Sequence, residues 1–215
     1  MKRIFLSAII ALFFIAANAQ SERYKGTMEK LVATLDTTRT LAGYTELANS
    51  FQRVADAEKT QWLPYYYAAL ANINAANSLY ITGQNDQIDP IVDKAAPLLA
   101  KAEELQKDNS EIFVAKKMFN TAKMMADPQN RYMELAPIAA EALATAKKLN
   151  PENPRVPLLE GQDLFFTPEQ FGGDKQEAKK KFEEALKKFE TFKPADSIAP
   201  NWGKTQAAYF ISQIK

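Results

Sequence analysis

Turn-forming clusters cut this chain into short helical lengths, and that cadence constrains the fold more than any single motif. Breakers stand at Gly83-Gln84-Asn85-Asp86, Asp108-Asn109-Ser110, Asp127-Pro128, Asn150-Pro151-Glu152-Asn153-Pro154, Gly172-Gly173 and Ala199-Pro200. Between them apolar residues recur three and four positions apart, and no stretch alternates with a period of two. The pattern predicts an all-α protein with helices over Glu22–Thr34, Tyr44–Glu58, Trp62–Tyr80, Ile88–Lys107, Glu111–Met125, Tyr132–Leu149, Val156–Phe165, Lys175–Phe192 and Asn201–Ile214. Pro97 and Pro137 fall inside two of these runs, where proline kinks or interrupts a helix. Short connections make successive helices antiparallel neighbours.

One spacing recurs along the chain. Ala139, Leu143 and Ala146 stand four and three apart, followed by Asn150-Pro151; Ala178, Phe182 and Ala185 repeat the pattern, as do Ala95, Leu99 and Ala102, and, more loosely, Leu47, Phe51 and Val54. Small residues at the outer places let a neighbouring helix approach, and the large middle residue fills the gap. Gly161 and Leu164, and Trp202 and Tyr209 seven apart, add to the pattern. Together these residues resemble the tetratricopeptide repeat, although successive motifs lie further apart than that family's period of about 34 residues. The resemblance implies antiparallel helix pairs stacked as a right-handed superhelix, an α-α solenoid. About four pairs would be followed by a C-terminal capping helix, and the first helix of each pair would line a concave groove.

Composition removes much catalytic chemistry. The chain contains no cysteine and no histidine, which excludes disulfides, thiolate nucleophiles, Ser-His-Asp triads and imidazole metal sites. Its 27 basic and 26 acidic residues nearly cancel, so no large field of one sign exists to attract nucleic acid or an anionic membrane. No cofactor is expected.

At the N-terminus, Lys2 and Arg3 precede an apolar run from Ile4 to Ala17, then Ala17-Asn18-Ala19. This is the charge, core and small-residue cleavage pattern of an export signal, and the run is shorter than the ~20 residues that a spanning helix needs. Residues 1–19 are expected to be a signal peptide cut between Ala19 and Gln20. Residues 20–215 would form one helical-repeat domain, soluble in the periplasm or outside the cell, without membrane insertion.

Several stretches invite functional readings. Phe171-Gly172-Gly173-Asp174-Lys175 is not a phosphate loop, because the GxxxxGK[ST] spacing and the preceding strand are both missing. Asp174 instead suits a helix N-cap with Glu177 three residues on, although the stretch from Phe166 to Gly173 is long enough to project as a feature of its own. Lysines and glutamates in the following helix interleave as a solvated face over Ala178, Phe182, Ala185, Leu186 and Phe189. In the aromatic segment from Trp62 to Tyr80, Leu63, Tyr66, Leu70 and Ile73 share the stripe that faces a neighbouring helix, whereas Tyr65 and Asn72 fall elsewhere. Lys116 and Asn120 form a polar stripe on the next repeat, and Arg155 and Gln162 on the one after. If first helices line a groove, Tyr65, Asn72, Lys116, Asn120, Arg155 and Gln162 share one binding surface. The expected function is non-enzymatic binding of a protein or peptide in that groove. The alternatives are a structural subunit of an envelope assembly, or a carboxylate enzyme or small-ligand binder using a pair such as Glu160 and Asp163.

Overall fold

A computed structural model describes residues 22–214, so the expected signal and cleavage site lie outside the described residues. The described residues are helical, with no strand among them. Helix α1 covers residues 22–37, followed by α2 (Leu41–Ala57), α3 (Trp62–Ile81), α4 (Asp89–Val92) and α5 (Ala95–Leu105). Then come α6 (Ser110–Ala126), α7 (Pro128–Leu149), α8 (Arg155–Phe166), α9 (Lys175–Thr191) and α10 (Lys204–Gln213).

Local chemistry explains the boundaries. Thr40 caps α2 by accepting from the Gly43 N–H, Asn109 caps α6 by accepting from Glu111, and Asp174 caps α9 by accepting from both Gln176 and Glu177. Helix α7 starts earlier than expected, on Pro128, whose missing N–H costs nothing in a first turn. The run expected over Ile88–Lys107 is broken into α4 and α5. Pro97 has no N–H to give the Asp93 carbonyl four residues back, and the chain unwinds there, with Ala96 donating to Asp93 instead. Pro137 leaves α7 unbroken because the carbonyl it strands belongs to solvent-exposed Met133. The last helix does not begin at Asn201. Gly203 turns the chain at φ 113°, and Asn201 and Trp202 stay outside α10.

Helices α2 and α3, α6 and α7, and α8 and α9 form close pairs. Each is joined by a short connection and therefore antiparallel. The recurring small-large-small residues lie at these contacts. Leu143 and Ala146 pack with Val114, Val156 and Leu159 between α6, α7 and α8, and Ala178, Phe182 and Ala185 form the centre of the α8–α9–α10 core. At Gly161 a Cβ would fall 2.6 Å from the Phe182 ring, so only glycine lets α8 and α9 approach this closely. Helix α3 lies among α2, α4, α5 and α6 and is buried nearly all round, so it cannot present a polar face to a groove.

Candidate functional site

The C-terminal arm, residues 192–214, organises the site. Its first part, 192–203, has no helix and packs against the helical cores through Ile198 and Trp202. Asp196 ties its own turn by accepting from the Ile198 and Ala199 N–H groups. The Ile198 side chain enters the core built by α1 to α6, and its carbonyl accepts from the Tyr67 hydroxyl at 2.8 Å. Ser197 donates to Glu29 on α1 at 2.5 Å. The Arg155 guanidinium donates to the Pro200 carbonyl. The Trp202 indole N–H donates to the Tyr66 hydroxyl at 2.9 Å, and Trp202 packs against all three hydrophobic cores of the molecule.

Beneath this segment lies a buried polar network. Arg155, fully buried, pairs its Nε with Glu111 Oε2 at 3.2 Å and sits over the rings of Phe192 (4.9 Å) and Trp202 (5.3 Å). Asn153 donates to Ser110 Oγ and Glu111 Oε1, both at 2.9 Å, and Ser110 donates onward to the Ala146 carbonyl. Burial pushes the Glu111 carboxyl above its ordinary range, with Arg155 the main opposing influence. Burial likewise holds the phenols of Tyr66 and Tyr67 far above their ordinary values, so both remain neutral hydrogen-bonding groups.

The six residues expected to share a groove surface are placed differently. Tyr65 and Asn72 are buried, the tyrosine hydroxyl donating to the Ala55 carbonyl and the asparagine amide to Ala68 one turn back. Arg155 belongs to the buried network. Lys116 pairs with Glu103 at 2.6 Å over the Phe113 ring, and Asn120 donates to the Lys116 carbonyl. Gln162 is partly exposed on α8. Three of the six are thus below the surface, because α3 is a central helix and because Pro200 and Trp202 cover Arg155. The carboxylates Glu160 and Asp163 are also engaged. Glu160 pairs with Lys147 and Lys181, whose hydrogen bonds outweigh burial and hold its carboxyl below the ordinary range, and Asp163 pairs with buried Lys117 at 2.6 Å.

Two surfaces beside the arm are open to a ligand. A cavity of about 210 Å³ lies beside Trp202, lined by Asp36, Arg39, Leu70, Asn74, Met118 and Lys204 among others. The second is an aromatic patch at the α8–α9–α10 end. Phe210 stacks on Phe182 (centroids 5.1 Å apart, planes 13°) and meets Phe165 at 5.3 Å and Phe166 at 5.6 Å. Tyr209 lies edge-on to Phe210 at 5.6 Å. Phe166 and Tyr209 are 66% and 59% exposed, and Phe171 in the adjoining connection is 71% exposed. The Lys175 ammonium stands 5.8 Å from the Phe165 ring. Behind the patch the connection is tightly folded. Asp174 donates to the Leu164 carbonyl, Gly172 turns at φ 95°, and a Cβ on Gly173 would lie 1.7 Å from the Thr167 carbonyl oxygen. The glycine pair therefore folds the connection tightly behind Phe165 and Phe166.

This patch was not anticipated as a site, but a signal for it exists in the sequence. Phe165-Phe166 and Tyr209-Phe210 are adjacent aromatic pairs in helices, and neighbours on a helix point about 100° apart, so one core cannot take both.

No protein-family model and no curated protein matches the chain. Among solved structures, the HusA haemophore from Porphyromonas gingivalis superimposes with a TM-score of 0.77 at 33% sequence identity, over 89% of this chain and 92% of that one. With one residue in three shared over nearly the full length of both proteins, this all-helical chain belongs to the family of the HusA haemophore.

Proposed function

We propose that this protein is an exported, non-enzymatic carrier of a haem-type porphyrin, held on the aromatic patch of Phe166, Tyr209 and Phe210. The observation that carries the proposal is that patch: exposed rings on two neighbouring helices, beside a cation, in a relative of a haemophore. A porphyrin is a broad apolar plane with anionic arms. Aromatic rings offer it stacking surfaces, and Lys175 offers its carboxylates a partner. The chain has no histidine or cysteine to hold iron, whereas the exposed Tyr209 phenol is a ligand type that haem iron accepts. The cavity beside Trp202 fits the cargo poorly, since pockets for drug-sized ligands run from about 300 to 1,000 Å³.

Export rests on the Lys2-Arg3, apolar run and Ala17-Asn18-Ala19 pattern. No described helix is long and apolar enough to cross a membrane. The helix pairs are taken as a tetratricopeptide-like right-handed stack, one domain over residues 20–215, with α10 as its capping helix. A protein or peptide partner seated in the groove would first have to displace residues 192–203.

Titration of the mature protein with haemin, followed by its Soret absorption, tests the proposal. Saturable binding is expected, and Phe166→Ala with Tyr209→Ala should weaken it at least about tenfold, equivalent to about 1.4 kcal/mol. Binding that is absent, or unchanged in the double variant, refutes the assignment of this site.

A further inference from the structure

The aromatic patch and the anchors Ile198 and Trp202 are joined by a single piece of chain. Residues 196–202 fill a groove lined by Tyr66, Tyr67 and Arg155, with Ile198 in the core of α1 to α6, the Pro200 carbonyl on the Arg155 guanidinium and Trp202 on the Tyr66 hydroxyl. Gly203 then turns the chain directly into α10, which carries Tyr209 and Phe210. Gly203 leaves little slack at this joint, since a Cβ there would lie 2.8 Å from Phe189 and 2.9 Å from Leu158. The other side of the patch, Phe165 and Phe166, belongs to α8 in the body of the protein. Helix α10 itself is lightly held. It packs chiefly on α9, and Ala207 is its only buried residue inside the helix.

We infer that residues 192–214 move as one arm that couples cargo binding to closure of the groove. The inference rests on the porphyrin reading of the patch. A ligand that bridges Phe166 on α8 and Tyr209 and Phe210 on α10 binds only while α10 is docked. It therefore stabilises the docked arm and, with it, Ile198 and Trp202 in the groove. Undocking of the arm separates the two sides of the patch and opens the groove in the same movement. Loading and groove closure are linked because a ligand stabilises whichever state it binds.

Amide hydrogen exchange on the mature protein, with and without haemin, reads both ends of the arm. With haemin at about 100 times its Kd, exchange at residues 198–202 should slow by about tenfold or more, together with exchange in α10. Ile198→Ala removes the groove anchor without touching the patch, and should speed exchange in α10 by about tenfold or more. Tyr67→Phe, which removes only the hydroxyl that holds the Ile198 carbonyl, gives the same direction of change if the alanine variant does not fold. Haemin that binds while leaving residues 198–202 unprotected overturns the coupling. If haemin does not bind, the porphyrin reading fails. The arm is then judged on the variants alone: faster exchange in α10 sustains it as one unit, and unchanged exchange refutes it.

Discussion

Trp202 and Tyr209 lie seven residues apart on one arm and meet opposite environments. Trp202 touches all three hydrophobic cores of the described residues and donates its indole proton to Tyr66, whereas Tyr209 leaves more than half its surface in water and meets Phe210 edge-on. The inner end of the arm holds the fold together, and the outer end offers apolar surface that the fold does not use. Large exposed rings clustered on two helices point to binding more strongly than scattered surface leucines do. Stability and binding should therefore respond to different residues of the same arm.

The largest effect is expected at the support of the inner end. Arg155→Ala leaves Glu111 buried without its cation and the Pro200 carbonyl without a donor, and should cost about 3–5 kcal/mol in chemical denaturation. The pH dependence has a definite sign. Burial already raises the Glu111 pKa above 4.5 in the folded protein, and loss of Arg155 raises it further. Protonation then removes the uncompensated charge. The deficit of the variant should be full above the folded pKa and shrink as pH falls through it; a deficit independent of pH would show that the Glu111–Arg155 pair is not its source.

Trp202→Ala comes next, at about 3 kcal/mol, the lower part of the range for aromatic truncation because the ring is only partly buried. Urea denaturation followed by circular dichroism checks it, and a change below about 1 kcal/mol would remove Trp202 from its role as the common contact of the three cores. The matching change at the outer end, Phe166→Ala with Tyr209→Ala, should shift stability by no more than about 0.5 kcal/mol per site, as expected of exposed positions. A large loss there would erase the contrast between the two ends.

The smallest effect lies away from the arm. Asp89 is held below its ordinary carboxyl range chiefly by the hydrogen bonds from Arg131, which join α4 to α7. Its folded pKa lies below 3.8, so its contribution is present above that value and disappears as pH falls through the folded pKa. Asp89→Asn should flatten the acid limb of the stability curve slightly, and an unchanged limb would make the pair inconsequential, as many exposed pairs are.

The helices and their core faces were legible in the sequence. Ala178, Phe182, Ala185 and Phe189 were read as the apolar face of α9 and are buried; Asp174 was read as its cap and accepts the two N–H bonds of a cap. These properties depend on spacing within one element, which the sequence displays directly. The surface was less legible. Arg155 looks like a solvated charge in a linear sequence, since arginine is seldom fully buried, and only Glu111, Asn153 and the Pro200 carbonyl converging from distant positions make its burial tolerable. Tyr65 and Asn72 fall off the predicted core stripe of α3, yet are buried because α3 has neighbours on several sides.

By itself, then, the sequence determined an all-helical chain, the faces along which its helices pack, the loop role of Gly172-Gly173 and the absence of cysteine and histidine chemistry. These follow from backbone propensity, the 3.6-residue period and side-chain inventory, all of which are local. Only the tertiary structure decided that residues 192–203 dock against Tyr66, Tyr67 and Arg155, and that exposed Phe166 and Tyr209 both flank Phe210. The reason is that burial depends on how many elements surround a residue. An extended segment carries no periodic signal of where it will dock, and its anchors, Tyr67 with Ile198 and Tyr66 with Trp202, lie more than 130 residues apart in the chain.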